Sequence, residues 1–186
     1  MHSGIGSVVE LVTKVGPANR MFSTLTRKEV KAVLLGGYSH AKLEKVIRHF
    51  PAESRGVVPA GLPYSAWQIL EHMRVVQQSM LSYALQYLAN STDSAQSDFR
   101  LSRSFWAKLA SPPDDASWEE SVHTLLADRA RFVALIDDAT DDSLTAPSGP
   151  RNRKTILRLA LQMADHNAYH AGQLVILRRL LGCWKR

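Results

Sequence analysis

Apolar residues recur at three- and four-residue spacing through most of the chain, and no stretch keeps the two-residue alternation of a β-strand. This spacing predicts four long helices, over about residues 26–49, 65–89, 117–139 and 154–181. Capping-box sequences mark the first three helix starts, at residues 26–29, 65–68 and 117–120. Gly182 fits the position just after the last helix. Four long helices joined by connections of about ten residues or more indicate an all-α fold, a four-helix bundle with crossover connections.

The segments between the predicted helices differ in character. Residues 52–63 and 140–153 are rich in proline and glycine and are predicted to be loops. Residues 95–116 are too apolar for a free linker, so we expect a short helical segment there that packs on the bundle. Gly36 and Gly37 weaken the first helix and could kink it. We expect residues 1–21 to be a poorly ordered N-terminal extension and residues 22–186 to form one domain.

Two histidines of the last predicted helix, His166 and His170, lie four residues apart and therefore share one helix face. The same face is otherwise apolar and carries Leu159, Met163, Leu174, Leu177 and Leu181. Both imidazoles are therefore expected to face the core, where unpaired polar rings are costly to bury. A divalent metal would offset that cost. Pairs with this spacing also arise by chance on solvated faces, so the apolar surroundings are what make this pair a metal-site candidate.

A catalytic metal commonly takes three protein ligands and a water, so a third ligand should come from another helix. Among the seven histidines, His72 is the best candidate because it lies near the start of the second predicted helix in a largely apolar series. A lone histidine in such a series is more often a satisfied core residue, but the nearby pair favours a ligand role. Asn167 stands where zinc peptidases with the HExxH motif have their glutamate base, which argues against a peptidase.

Other side chains near the histidines are candidates for hydrogen bonds to the imidazoles or for the wall of a pocket. They are Asp165, Tyr169, Gln173 and Trp106, although an ordinary contact between helices is the more common role for such residues. Glu71 is expected to be solvated. Arg178 and the neighbouring basic residues are expected to be solvated at a helix end, and they do not form the basic stripe of a nucleic-acid-binding protein.

Composition narrows the class of protein further. With 186 residues, 45% of them hydrophobic and 22% charged, the chain has the make-up of one globular domain. A formal net charge of +6 permits an acidic ligand but does not require nucleic acid. The first twenty residues lack the pattern of a signal peptide, and no run of about 18 apolar residues predicts a membrane span. A single cysteine, Cys183, suits a reducing compartment, so we expect a cytoplasmic protein.

A family resemblance rests on His72 and on the run His-Asn-Ala-Tyr-His-Ala-Gly-Gln that begins at His166. With Phe105-Trp106 and the Trp-Glu-Glu-Ser sequence at residues 118–121, these motifs resemble the DinB/YfiT-like superfamily over roughly residues 22–184. The resemblance implies a four-helix bundle and often a homodimer. It also implies that His72, His166 and His170 hold a divalent metal, such as zinc, nickel or iron, with open positions for water or a thiol. Some members of that superfamily use a low-molecular-weight thiol, such as mycothiol or bacillithiol, and others are described as metal-dependent hydrolases.

The expected chemistry follows from the charge of the metal. A divalent ion on three neutral imidazoles keeps its full charge and makes a nucleophile from water or a thiol at neutral pH. We therefore expect a metal-dependent hydrolase or thiol S-transferase that acts on a small-molecule substrate. The alternative is a non-catalytic, dimeric helical module with a structural or sensing metal, and a fourth protein ligand would favour it. Neither nucleic acid nor a membrane is an expected partner.

Overall fold

The computed structural model describes residues 17–89, 105–147 and 154–184, with side chains from residue 24 onward. Every regular element in these ranges is helical. The elements are, in chain order, α1 (Pro17–Leu35), α2 (Leu43–Ile47), a 3-10 turn (Ala52–Ser54), α3 (Ala66–Ala89), α4 (Asp115–Asp138), α5 (Asp141–Thr145) and α6 (Ile156–Leu180). The predicted all-α class is confirmed. Along the described part of the chain, no helix combines the length and apolar character that a membrane span needs.

The four long helices pack around a shared interior, because α1 and α3 each contact both α4 and α6. Buried apolar side chains form two clusters. One joins α1 and α5 to the later turns of α3 and α4 and the first turns of α6, and the other joins α2 to the opposite ends of the long helices. Along α6 the first cluster ends at Ala164 and the second begins at Ala171, so His166 and His170 lie between them. The crossover connections of the bundle stay a prediction.

One of the three predicted capping boxes is confirmed, at the start of α3. The Gln68 backbone N–H donates to Ser65 Oγ at 3.2 Å, and the Ser65 N–H donates to Gln68 Oε1 at 3.1 Å. The box predicted at residues 117–120 is wrong, because Asp114 caps α4 three residues earlier. The Asp114 carboxylate accepts a hydrogen bond of 2.7 Å from the Ser117 N–H. An aspartate at this position is among the strongest helix-starting residues, and it outweighs the later serine.

The first predicted helix is wrong at both ends. α1 begins at Pro17, where the fixed φ of proline suits a first helical turn, so Thr26 lies inside the helix and does not cap it. α1 ends at Leu35 because Gly36 and Gly37 adopt φ values of 69° and 98°, in the left-handed region that glycine tolerates. α1 thus takes in residues 17–21 of the predicted extension. Residues 1–16 lie outside the described residues.

Two of the predicted connections also differ from the structure. Residues 105–114 contain no α-helix, although a helical segment was predicted there, and residues 95–104 of that segment lie outside the described residues. The loop predicted at residues 140–153 contains α5. The helix α5 starts where Thr140 Oγ1 accepts a hydrogen bond of 3.1 Å from the Ser143 N–H. Short helices of this kind escape detection because five residues are too few to show a hydrophobic period.

Arg178 was expected to be solvated, but it is buried beneath the end of α6, with 7% of its surface exposed. Backbone carbonyls at the end of α2 have no partner within that helix. The Arg178 guanidinium supplies donors to them, at 2.9–3.3 Å, and contacts the carbonyls of Lys45, Val46, Arg48, His49 and Cys183. The rings of Phe50 and Trp184 each lie 5.4 Å from its centre. One side chain therefore ties α2 to the end of α6.

Replacing Arg178 with alanine is expected to lower the free energy of unfolding by about 2–4 kcal/mol, because several buried carbonyls lose their donors. Urea denaturation followed by circular dichroism measures this loss. Arg158→Ala, at an exposed position of the same helix, is the matched control and should change the value by less than about 0.5 kcal/mol. Equal losses in the two variants would contradict the role assigned to Arg178.

Candidate metal centre

Three histidine rings from two helices converge in the structure. His72 comes from α3, and His166 and His170 come from α6, and the ring centroids lie 4.4, 4.9 and 5.1 Å apart. One nitrogen of each ring lies within 4.8 Å of the other two, and the Nε2 atoms of His72 and His166 are 3.1 Å apart. Two nitrogens on one tetrahedral zinc ion lie about 3.3 Å apart, given zinc–nitrogen bonds of about 2.0–2.1 Å. The spacing therefore fits ligands that share one ion.

The positions of the three histidines follow from local sequence. The four-residue spacing of His166 and His170 places both rings on the face of α6 that packs against α3. His72 lies seven residues after Ser65, the residue that caps α3, and thus about two helical turns along the same side. His170 is buried, whereas His72 and His166 are partly exposed. The cluster therefore lies at the edge of the core and not at its centre.

Hydrogen bonds at Nδ1 of His72 and of His170 leave Nε2 as the metal-binding atom of each ring, and Nε2 of His72 faces Nε2 of His166. The Nδ1–H of His170 donates to Gln173 Oε1 at 2.7 Å, and the Nδ1–H of His72 donates to the Phe105 carbonyl at 3.4 Å. Both partners are acceptors, so in a neutral ring the hydrogen is on Nδ1 and the lone pair is on Nε2. Metal-binding imidazoles usually donate their other N–H in this way. The donor set thus fits a divalent metal.

Burial lowers the pKa of all three imidazoles. Desolvation, followed by the neighbouring His170 and His72, lowers the pKa of His166 to about 3. Desolvation lowers the pKa of His170 to about 4, although the hydrogen bond to Gln173 acts in the opposite direction. The pKa of His72 is also lowered by desolvation, with partial compensation from the Phe105 carbonyl. All three rings are therefore neutral at pH 7, which is the protonation state that binds metal.

Aromatic rings cover one side of the cluster. Trp106 lies flat against His72, with ring centroids 4.0 Å apart and an interplanar angle of 4°. Trp106 also stacks on Tyr64, at 3.8 Å and 13°, and presents an edge to His170 at 6.0 Å. Trp106, which we proposed from the sequence as a pocket wall, is thus in direct contact with one of the three histidines. Trp106 therefore covers one face of the His72 ring.

The segment that carries Trp106 is held by the first two turns of α3, a feature that the sequence did not reveal. The side chains of Ser65, Gln68 and His72 lie on one side of the helix start and donate to three carbonyls of the segment. Their acceptors are Ala110, Ala107 and Phe105, respectively. A candidate metal ligand therefore belongs to the same series of contacts that attaches the aromatic wall to the bundle.

The other residues predicted to lie beside the imidazoles, Gln173, Tyr169 and Asp165, differ in how closely they approach the histidine cluster. Gln173 contacts His170 directly, and its Nε2 donates to the Tyr169 hydroxyl at 3.2 Å. The Tyr169 ring meets His170 edge-on at 5.0 Å, while 65% of Tyr169 is exposed. Asp165 is exposed, and no hydrogen bond within the described ranges joins it to an imidazole. Of the four residues named from the sequence, Asp165 is therefore the one that the structure leaves apart from the rings.

Glu71 was expected to be solvated, but its carboxylate is partly buried and fully paired. The carboxylate accepts hydrogen bonds from Arg74 at 2.7 and 2.9 Å and from Ser121 Oγ at 2.6 Å. Burial raises the pKa of Glu71, but the hydrogen bonds from Arg74 and Ser121 and the charge of Arg74 outweigh it, so the pKa is lowered. Glu71 therefore joins α3 to α4. Its lowered pKa keeps the carboxylate ionised, which argues against a role as a proton donor.

Asn167 has a structural role that its position between the two histidines did not predict. Its side chain is buried, and Nδ2 donates to Gln77 Oε1 at 2.9 Å. Gln77 Nε2 in turn donates to the Leu125 carbonyl at 2.5 Å. This buried series joins α6, α3 and α4 directly beside the histidines. The sequence signal for this role is the asparagine itself, because asparagine has a low helix propensity and its presence inside a predicted helix indicates a specific contact.

An all-helical fold with three converging, neutral histidines defines a class of helical protein with a candidate metal centre. Residues 38–174 match the family model of the DinB superfamily, and this range covers more than half of the chain and all three histidines. The chain belongs to the DinB superfamily. No curated protein and no solved structure matches it.

The metal-free protein is expected to lose stability as the pH falls below about 6.5, the pKa of an unperturbed histidine. The folded pKa values of His166 and His170 are about 3 and about 4, so between these values and 6.5 the unfolded chain binds more protons. Protonation therefore favours unfolding. The loss of unfolding free energy grows as the pH falls, until the pH reaches the pKa values of the folded state. Urea denaturation of chelator-treated protein at about pH 7, 6 and 5 measures it.

Replacing both His166 and His170 with glutamine should flatten this pH dependence, because two groups with lowered pKa values are removed. His123→Gln, at an exposed position of α4, is the matched control and should keep the dependence of the original protein. The explanation fails if the glutamine variant and the control show the same slope.

Proposed function

We propose that this chain is a metal-dependent enzyme in which His72, His166 and His170 hold a divalent ion such as zinc, nickel or ferrous iron. The observation that carries the proposal is the convergence of three neutral imidazoles, two of which donate from Nδ1 and keep the Nε2 lone pair for a metal. Imidazole nitrogen suits each of these metals. Within the described ranges, no cysteine or carboxylate joins the three rings as a fourth ligand. An open position is typical of a catalytic site, whereas structural zinc sites are usually closed.

We infer that the reaction is hydrolysis or thiol S-transfer on a small-molecule substrate. A divalent ion on three neutral ligands lowers the pKa of a coordinated water or thiol and thereby supplies a nucleophile at neutral pH. The thiol alternative, a low-molecular-weight cosubstrate such as mycothiol or bacillithiol, is suggested by the family resemblance of the motifs around His166.

The residues of the chain contribute position and shielding. Gln173 and the Phe105 carbonyl orient His170 and His72, respectively, by accepting their Nδ1–H groups. Trp106 stacks on both His72 and Tyr64 and thereby holds the plane of the His72 ring. The Tyr169 hydroxyl accepts from Gln173 and keeps its own proton, which it could donate to an oxygen of a substrate.

The purified, zinc-loaded protein is expected to bind about one ion per chain, and His170→Ala is expected to weaken binding at least about 100-fold, because one of three ligands is lost. Elemental analysis after desalting and titration against a chromophoric chelator measure both quantities. His123→Ala, which changes an exposed histidine outside the cluster, should bind as the original protein does. Stoichiometric metal in purified His170→Ala would contradict the ligand assignment.

The activity itself is tested by a screen of the metal-loaded protein for hydrolysis and for transfer of low-molecular-weight thiols. The expected result is turnover that disappears with a chelator, returns with added metal and is absent in His72→Ala. Full metal occupancy without turnover of any substrate would instead favour the alternative, a non-catalytic helical module whose metal is structural or sensing.

Gln173→Leu is expected to weaken zinc binding by about 10–100-fold, because the Nδ1–H of His170 loses its acceptor while all three ligands remain. Gln173→Glu keeps an acceptor at the same place and should restore most of the affinity. Competition with a chromophoric chelator compares the two variants directly. Equal affinities in Gln173→Leu and the original protein would show that Gln173 does not position His170.

A further inference from the structure

Three buried side-chain atoms have no hydrogen-bond partner in the part of the chain that the structure describes. They are Nε of Arg129, Oδ1 of Asn167 and Oε2 of Glu44. Arg129 and Asn167 are only 4% and 5% exposed, so bulk solvent does not supply the missing hydrogen bonds. An unpaired buried donor or acceptor is costly, and native proteins contain few of them. The three atoms therefore call for a common explanation.

The three atoms belong to one place in the fold. Arg129 of α4 and Asn167 of α6 line the same small cavity beside the end of α1. Glu44 of α2 is the ion-pair partner of Arg129, because its Oε1 accepts a hydrogen bond from Arg129 Nη2. The rest of the cavity wall is mainly apolar and includes Leu34, Leu43, Ala164, Ala168 and Ala171.

The size of the cavity restricts what it can hold. The space open to the centre of a water molecule is about 10 Å³. This is about the volume that one water needs, so a larger molecule does not fit. Polar side chains at a wall of this kind are typical of sites for internal water, whereas cavities with wholly apolar walls stay dry.

The chemistry of the three atoms also selects water. Asn167 Nδ2 donates to Gln77, which identifies the other amide atom, Oδ1, as an acceptor. Glu44 Oε2 is a second acceptor, whereas Arg129 Nε–H can only donate. A cation would meet the guanidinium, and an anion would meet the carboxylate of Glu44. A neutral molecule that donates twice and accepts once matches all three atoms.

We propose that this cavity binds one internal water, which accepts from Arg129 Nε–H and donates to Asn167 Oδ1 and Glu44 Oε2. Three hydrogen bonds are typical of a buried water. The water extends the series in which Asn167 donates to Gln77 and Gln77 donates to the Leu125 carbonyl. It thereby links the ion pair of α2 and α4 to α6, at the residue next to a candidate metal ligand. The site goes beyond the proposed enzymatic function and does not depend on metal binding.

A high-resolution crystal structure of the full chain tests the site directly. The expected result is one ordered water within hydrogen-bond distance of Arg129 Nε, Asn167 Oδ1 and Glu44 Oε2. A dry cavity or an ion at this position overturns the proposal. A direct hydrogen bond between Arg129 Nε and either of the two oxygens also overturns it.

Oxygen-17 magnetic relaxation dispersion counts long-lived internal waters in solution. Asn167→Leu keeps a side chain of similar size but removes the acceptor, so this variant should hold one long-lived water fewer than the original protein. Ser121→Ala removes a buried hydroxyl outside the cavity and is the matched control, which should keep the original count.

Circular dichroism confirms that each variant is folded. If Asn167→Leu does not fold, Arg129→Met takes its place, because it removes the donor and should lose the same water. A folded variant at either position that keeps the full count of long-lived waters overturns the proposal.

Discussion

The packing of α6 against α3 is the interaction on which every functional statement about this chain depends. It brings His72 to the pair formed by His166 and His170, and it buries the three rings enough to keep them uncharged. Burying neutral imidazoles without a metal or a hydrogen-bond partner for their nitrogens costs free energy. The same contact is strengthened beside the rings by Asn167, which donates to Gln77 of α3. Stability and the candidate chemistry therefore rest on the same pair of helices.

The start of α3 serves two purposes at once. Ser65 and Gln68 satisfy the free N–H groups of the helix end, as any capping box does, and they also donate to carbonyls of the segment that carries Trp106. His72 continues the series one turn further on, with the Phe105 carbonyl as its acceptor. The aromatic wall and the orientation of a candidate ligand are thus fixed by backbone atoms, which side-chain substitutions in the segment would leave in place.

Much of the fold and the central feature of the site could be predicted from periodicity alone. The four-residue spacing of His166 and His170 within an apolar face indicated a shared, core-facing site, and His72 lay near the start of another predicted helix in a largely apolar series. What could not be predicted depends on contacts between distant residues. Nothing near Arg178 in sequence indicates that the end of α2 needs its guanidinium. The pairing of Glu71 with Ser121 likewise requires α4 to lie alongside α3. The wrong start of α4 has a local cause, since Asp114 and Ser117 are competing start signals three residues apart, whereas α1 begins at Pro17, well before the Thr26 signal.

The flat stacking of Trp106 on His72 has a spectroscopic consequence. An indole within 4.0 Å of an imidazole that holds an ion is close enough for its excited state to be deactivated by an open-shell metal. Nickel or ferrous iron in the cluster would therefore quench the fluorescence of Trp106, one of the four tryptophans of the chain, whereas closed-shell zinc would not quench it. If the proposed metal centre forms, the emission of Trp106 would therefore distinguish an open-shell metal from zinc.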